Sequence, residues 1–237
     1  MDGFTYHNIF ETKGVEYLVI IAFFAILIPF WLILNRQAKL TKKIHDALNI
    51  ITASALRMPL GLFYSRQHTW TFLEKSGIAK VGIDDLLLHL TGEVKLLNLK
   101  NAGDLIDKGE PFAEIEHQGK RLKLHSPVAG EIVVINAALH KNASRMNDDP
   151  YGKGWILKVK PTNWIADTSS HYLAEEATRW SENELARVKD FLAATMVKFS
   201  PEPTATILQD GGELRNHTLS ELPKEVWEDF GEHFLKP

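Results

Sequence analysis

The residues able to do chemistry in this chain are dispersed, and they form no recognisable catalytic set. None of the 237 residues is cysteine, which excludes thiol nucleophiles, thiolate zinc sites, iron–sulfur ligation and disulfides. The chain also has no phosphate-binding loop, dinucleotide fingerprint or serine-hydrolase motif. The histidines best placed to act as ligands lack the usual metal-site spacing. They are His68, His89, His117, His125 and His140. We therefore predict no enzyme activity, no metal and no small-molecule substrate of its own.

Two pairs of adjacent carboxylates could suggest acid–base chemistry, namely Asp84-Asp85 and Asp148-Asp149. Each pair stands in a predicted turn or at a predicted helix start. Short acidic side chains at such places accept hydrogen bonds from backbone N–H groups. We interpret both pairs as caps rather than as acid–base machinery.

A lysine directly follows a glycine in a predicted turn, within His117-Gln118-Gly119-Lys120. Glycine adopts the positive φ that a two-residue hairpin turn requires. The residues after the turn alternate polar and apolar, which is typical of a half-buried strand. The sequence therefore predicts a hairpin with Lys120 beside its tip.

The charge balance argues against nucleic-acid binding. The chain has 27 basic and 30 acidic residues, for a formal net charge of −3. Its basic residues are mostly scattered, whereas a nucleic-acid binder needs a concentrated basic surface. Hydrophobic residues make up 45% of the chain and charged residues 24%, which is typical of a globular protein. We expect no nucleic-acid partner.

An uncharged and mostly apolar run extends from Tyr17 to Asn35. In a helix, which rises about 1.5 Å per residue, about twenty such residues cross a hydrocarbon core of about 30 Å. We predict a transmembrane helix over residues 15–35. A cleaved signal peptide fits less well, because the preceding segment is net acidic and no A-x-A cleavage site follows.

The flanking charges predict the orientation of this helix. Arg36, Lys39, Lys42 and Lys43 follow the run directly, and such residues remain on the cytoplasmic side. Residues 1–14 then form a short non-cytoplasmic segment. We predict a single-pass protein of the cell (inner) membrane whose remaining domains are cytoplasmic. Its expected partners are the membrane and other subunits of a membrane complex.

The pattern of apolar residues after this run is first typical of a helix and then typical of short β-strands. Apolar residues recur at helical spacing up to about Arg57, so residues 36–62 are predicted as a juxtamembrane helix or linker. Short β-rich segments bounded by glycine and proline then extend to about Trp164 and predict a small all-β sandwich. The predicted strands are Thr69–Leu73, Ile78–Ile83, Glu93–Leu99, Pro111–Glu116, Arg121–His125, Gly130–Asn136 and Trp155–Lys160.

Residues 167–237 are predicted as an α-rich C-terminal extension. An apolar stripe predicts a helix over Ser170–Lys198, either continuous or broken near Ser181, where Ser181 and Glu184 match a capping box. A small hairpin and a last amphipathic helix follow, at Thr204–Leu208 with Glu213–Asn216 and at Leu222–Phe234. The apolar face of the last helix must cover a surface, either on the β domain or on another subunit. That face comprises Val226, Trp227, Phe230 and Phe234.

A series of motifs in the middle of the chain follows one family's order and spacing. The motifs are GIAKVGIDD at 77–85, LTGEV at 90–94, GDLIDKGEPFAEIE at 103–116, SPVAGEIVVIN at 126–136 and NDDPYGKGWILKVKPTNW at 147–164. Together they resemble the H protein of the glycine cleavage system, a lipoyl-bearing shuttle between enzymes. The resemblance implies a lipoyl-type barrel-sandwich hybrid over residues 63–166. It also implies short flanking helices, one of them over Asp84–Leu90.

The resemblance also implies where the lipoyl lysine of the family would stand, three residues after a glutamate and eight before a proline. Counted from Glu116 and Pro127, that position is Gly119, and Lys120 comes one residue later. A shift of one residue along a strand turns a side chain to the opposite face. We therefore expect a domain that has lost lipoylation and holds no cofactor, with Lys120 as the alternative lipoate site.

Two functions remain open on the sequence alone. The predicted anchor, the flanking helices and Gly119 favour a non-catalytic, membrane-anchored structural or interaction subunit of a membrane complex. The overall motif match favours a lipoyl carrier, in glycine cleavage or a related pathway, modified at Lys120.

Overall fold

The computed structural model describes residues 16–31, 50–199 and 214–237. The chain divides into two compact units, Met1–Leu48 and Asn49–Pro237. In the first unit, residues 16–31 form helix α1, and all their side chains are exposed. No helix within the described ranges is both long enough and apolar enough to cross a membrane. The rest of the predicted span 15–35, residues 1–14 and residues 36–49 lie outside the described residues.

The second unit is built from short strands with helices between and after them. Its strands are β1 (Ile50–Ile51), β2 (Phe63–Tyr64), β3 (Thr69–Leu73), β4 (Ala79–Ile83), β5 (Lys95–Asn98), β6 (Leu105–Ile106), β7 (Pro111–His117), β8 (Lys120–His125), β9 (Gly130–Ile135), β10 (Leu157–Pro161) and β11 (Leu214–Arg215). Its helices are α2 (Asp85–Thr91), α3 (Ala137–Lys141), α4 (Arg145–Asp148), α5 (Trp164–Thr168), α6 (Glu175–Phe199), α7 (Thr218–Glu221) and α8 (Lys224–Phe230). A 3-10 turn, Ala53–Ala55, follows β1, and a π-helical turn, Gly231–Leu235, follows α8.

Two antiparallel sheets make up the β domain. One has six strands in the order β2-β3-β4-β10-β9-β6, and the other has three in the order β5-β7-β8. The predicted strands are confirmed to within two residues at each end. Their boundaries were predictable because the alternation of apolar residues and the turn glycines are local signals.

The main core lies where the apolar faces of these elements meet, and it reaches into the C-terminal helices. Val81, Ile115, Leu124 and Val159 are completely buried in it, together with Trp227 from α8. A smaller cluster surrounds Trp70 on the six-stranded sheet and includes Trp180 from α6. The C-terminal extension therefore packs on the β domain, which confirms one of the two predicted uses of its apolar face.

One predicted helix, one predicted strand pairing and one predicted helix cap differ from the structure where it describes them. Residues 50–57 hold a strand and a 3-10 turn instead of a helix. The strand Leu214–Arg215 pairs with Ile50–Ile51, and the other half of its predicted hairpin, at 204–208, lies outside the described residues. Helix α6 is unbroken, which was one of the two predicted alternatives. Ser181 donates to the Thr178 carbonyl at 2.8 Å within this helix, so the predicted capping box does not form. Long-range pairings of this kind leave no local pattern in a sequence.

Candidate functional site

The hairpin between β7 and β8 turns through two exposed residues with positive φ. Gln118 has φ 51° and Gly119 has φ 82°, as a type I′ turn requires. The Gly119 N–H donates to the Glu116 carboxylate at 2.6 Å. A Cβ added at Gly119 would have no neighbour within 4 Å. The tip is therefore open to solvent, and its two residues carry no amine of the lysine type.

Lys120, the predicted candidate for a carrier residue, lies one position past the tip and points back onto the protein. Its ammonium donates to the carbonyls of Ser220 at 2.5 Å and Leu222 at 3.1 Å. It also lies 5.4 Å from the centre of the Trp227 ring, a cation–π distance. Desolvation by these neighbours lowers the pKa of Lys120. The amine is a structural donor in this arrangement.

The Lys120 ammonium contacts Ser220, Leu222 and Trp227. These residues lie within 214–237, which we call the C-terminal cover. Trp227 is fully buried, and its indole N–H donates to the Leu219 carbonyl at 2.6 Å. The same indole stacks on His117, with ring centres 6.3 Å apart and planes 13° from parallel. His117 in turn contacts the Glu93 carbonyl through Nδ1 at 2.8 Å. The cover is thus fitted to both strands of the hairpin.

A groove of about 530 Å³ runs between strand β8 and the cover. Arg121 and Lys123 line its strand side, and Glu228 and Glu232 line its helix side. Lys236 lowers the pKa of Glu232 most strongly, and Lys123 contributes to the same effect. The two sides therefore attract each other across the groove.

The resemblance implies a lipoyl group at this hairpin. Attachment of lipoate requires a lysine amine free to react at an accessible position. Gly119 supplies no amine, and the Lys120 amine is bonded to two carbonyls under the cover. The residues in this arrangement do not fit a lipoyl attachment site.

A second polar cluster lies deep in the protein, and the Asp84 cap is the one part of it that local sequence patterns predict. His68 is completely buried with φ 58°. Its Nδ1 lies 2.8 Å from Asp84, and its Nε2 lies 3.3 Å from Glu184, an ion-pair distance rather than a well-directed hydrogen bond. Burial opposes the charged imidazolium, but the two carboxylates outweigh it and raise the pKa of His68 to about 9. A protonated His68 thus joins α2 to α6.

The first predicted acidic pair serves as predicted for Asp84, whose side chain caps α2 by accepting from the Leu87 N–H at 2.9 Å. Asp85 instead binds Arg57, with Nη2 at 2.8 Å and the backbone N–H at 2.9 Å. Burial would raise the pKa of Asp85, but His89 and Arg57 hold it below its usual range. This pair is structural.

The two residues of the second pair, Asp148 and Asp149, also have different roles. Asp149 accepts from the N–H groups of Gly152 at 3.0 Å and Lys153 at 2.9 Å, whereas Asp148 ends helix α4. In the described ranges, no group of three His, Asp or Glu side chains is placed to hold a metal ion.

Comparisons with known proteins identify the domain that carries this hairpin. A model of the glycine cleavage H-protein family matches residues 62–184. The glycine cleavage system H protein of Psychrobacter cryohalolentis is 37% identical over 128 residues, which cover 54% of this chain and 98% of that protein. That of Rubrobacter xylanophilus is 35% identical over 130 residues, 55% of this chain and 93% of that protein.

Among solved structures, a glycine cleavage system H protein from Mycobacterium marinum matches with 28% identity and a TM-score of 0.42. The match covers 44% of this chain and 87% of that one. The family match bears out the predicted lipoyl-type barrel-sandwich domain. This chain belongs to the glycine cleavage H-protein family.

Proposed function

We propose that this chain is a non-catalytic structural or interaction subunit of a membrane protein complex, built on an H-protein domain that carries no lipoate. The observation that carries the proposal is the hairpin tip, where Gly119 occupies the position that the resemblance gives to the lipoyl lysine. A swinging arm needs an amine at this tip. The nearest amine, that of Lys120, is engaged with the Ser220 and Leu222 carbonyls.

The membrane part of the proposal rests on the sequence of residues 15–35. This run is uncharged from Tyr17 to Asn35, and basic residues follow it. Its described part is helical, with large apolar side chains exposed. We place the chain in the cell (inner) membrane with residues 1–14 outside and the H-protein domain in the cytoplasm. Its partners are then other subunits of the complex, with no nucleic acid and no small-molecule substrate.

The second candidate function is that of a lipoyl carrier modified at Lys120. The comparisons favour it, because the relatives named above are glycine cleavage system H proteins. Lys120 is also only one residue from the hairpin tip. This function requires the Lys120 amine to leave its two carbonyl partners.

The first experiment is the intact mass of the protein purified from its native membrane, followed by peptide mapping from Ile115 to Val128. We expect an unmodified peptide, in cells whose other lipoyl carriers are modified. A Gly119→Lys variant is the matched control, because the tip has room for a side chain. We expect this variant to gain the mass of one lipoyl group at residue 119.

The two measurements separate the candidates. An unmodified natural chain and a modified Gly119→Lys variant would mean that the domain is still recognised and lacks only the tip amine. A lipoyl adduct on Lys120 of the natural chain would refute the proposed function and establish the carrier. The positive φ of residue 119 makes lysine strained there, so the mapping must also verify that the variant is folded.

A further inference from the structure

We propose that the C-terminal cover, residues 214–237, is an intramolecular occupant of the hairpin face: it holds Lys120 as an unreactive structural amine and excludes other proteins from that face. The inference rests on the proposed function, since it explains how the H-protein domain is withdrawn from a carrier's contacts. It identifies the hairpin face as a surface that partners of this chain do not contact.

The first support is the way the cover replaces water around Lys120. An ammonium group has three N–H donors, and the cover supplies two backbone carbonyls, those of Ser220 and Leu222. Trp227 adds its ring face at 5.4 Å. Backbone acceptors and an aromatic face satisfy the charge without a carboxylate, so the contact requires the path of the chain at 220–222.

The second support is the position of strand β8 in its sheet. The order β5-β7-β8 leaves β8 at the edge, and an open edge exposes unpaired backbone groups to other strands. The cover lies along this edge, where a Cβ added at Gly231 would be 3.4 Å from the Leu122 side chain. Trp227, Phe230 and Leu235 are buried there. The cover therefore stands beside this edge across the groove, and we infer that a partner strand could pair with β8 only after the cover moves away.

The third support is that the cover is fastened at several separate places. Strand β11 pairs with β1. From α6, Arg187 donates to the His233 carbonyl at 3.2 Å and lies 4.3 Å from the centre of the Phe234 ring. At the far end, Pro237 approaches Gly109, where an added Cβ would lie 3.2 Å from the Pro237 Cβ. An element fastened on three sides is suited to stay in place.

The test is the rate at which N-hydroxysuccinimidyl acetate acetylates individual lysines of the full chain in detergent, read by peptide mass spectrometry. Lys123 is the internal control, because it stands three residues further along the same strand and is exposed. We expect Lys120 to react slower than Lys123 by about tenfold or more, because its amine must first leave its two carbonyl partners by local opening. The lowered pKa of Lys120 acts in the opposite direction, so protection is not a charge effect.

A Trp227→Ala variant should remove most of this protection, since it deletes the contact with both Lys120 and His117. A disulfide formed by the substitutions Gly109→Cys and Pro237→Cys provides the companion test, because the chain has no native cysteine. The Cβ separation of 3.2 Å is slightly below the about 3.5–4.5 Å of disulfides. In the Trp227→Ala variant, this disulfide should restore the protection of Lys120 when it is oxidised. Reduction of the disulfide should remove that protection again.

Equal acetylation of Lys120 and Lys123 in the natural chain would overturn the inference. Protection that persists in Trp227→Ala with the disulfide reduced would do the same, because the cover would then not be its cause. Both outcomes leave the proposed function standing if mass mapping finds no lipoate. A lipoyl adduct on Lys120 would instead remove the proposed function and this inference together.

Discussion

At the scale of single residues, His68 gives the protein a definite dependence of stability on pH. Its folded pKa of about 9 lies above the ordinary value of about 6.5, so its contribution is complete below pH 6.5 and is lost as the pH rises to 9. The difference corresponds to about 3 kcal/mol. We expect the free energy of unfolding, measured by tryptophan fluorescence in guanidinium chloride with detergent, to fall over this window.

A His68→Gln variant tests whether this residue is responsible. It should be less stable than the natural chain at pH 6, and its stability should change much less between pH 6.5 and 9. His89, whose pKa is also raised by Asp85, accounts for the residual slope. An unchanged slope in His68→Gln would show that the imidazolium between Asp84 and Glu184 does not form.

At the scale of the secondary-structure elements, substitution of glycine by alanine should have opposite effects on stability at two positions. At Gly82 in β4, an added Cβ would lie 2.6 Å from the buried Trp70 ring, so Gly82→Ala should destabilise the protein by about 1–3 kcal/mol. At Gly231, which has helical φ −56° and ψ −42°, the added Cβ meets Leu122 at 3.4 Å, an ordinary contact. Gly231→Ala should stabilise by up to about 1 kcal/mol.

Both variants can be compared with the natural chain in one denaturation series. The same Gly231→Ala chain should also slow acetylation of Lys120, because it stiffens the helical part of the cover. Destabilisation by Gly231→Ala would mean that the contact with Leu122 is tighter than the structure indicates. A neutral Gly82→Ala would mean that the Trp70 ring has room to move.

The same elements show what the sequence could predict. Strands such as Thr69–Leu73 were predictable because alternation and neighbouring glycines are local, and Asp84 was predictable as a cap for the same reason. The bonds of Lys120 to Ser220 and Leu222 join residues about a hundred positions apart, and no spacing rule reports them. Glu184 matched the pattern of a capping box in the sequence, but in the structure it forms ion pairs with His68 and Arg187.

At the scale of the whole molecule, the proposed anchor predicts a fixed topology. The proposal puts residues 1–14 outside and the C-terminus in the cytoplasm, because Arg36, Lys39, Lys42 and Lys43 follow the apolar run. A reporter that is active only in the cytoplasm should therefore be active after Pro237. The same reporter fused ahead of Met1 should be inactive.

Two matched variants test the physical basis of this topology. Replacing Lys39, Lys42 and Lys43 by glutamine should lower the cytoplasmic activity of the reporter after Pro237, because the charge bias weakens. Deleting residues 15–35 should move the chain out of the membrane fraction. Activity of the natural fusion only on the outer side would reverse the topology. A deleted chain that still sediments with membranes would show that partner subunits, rather than the apolar run, hold the H-protein domain there.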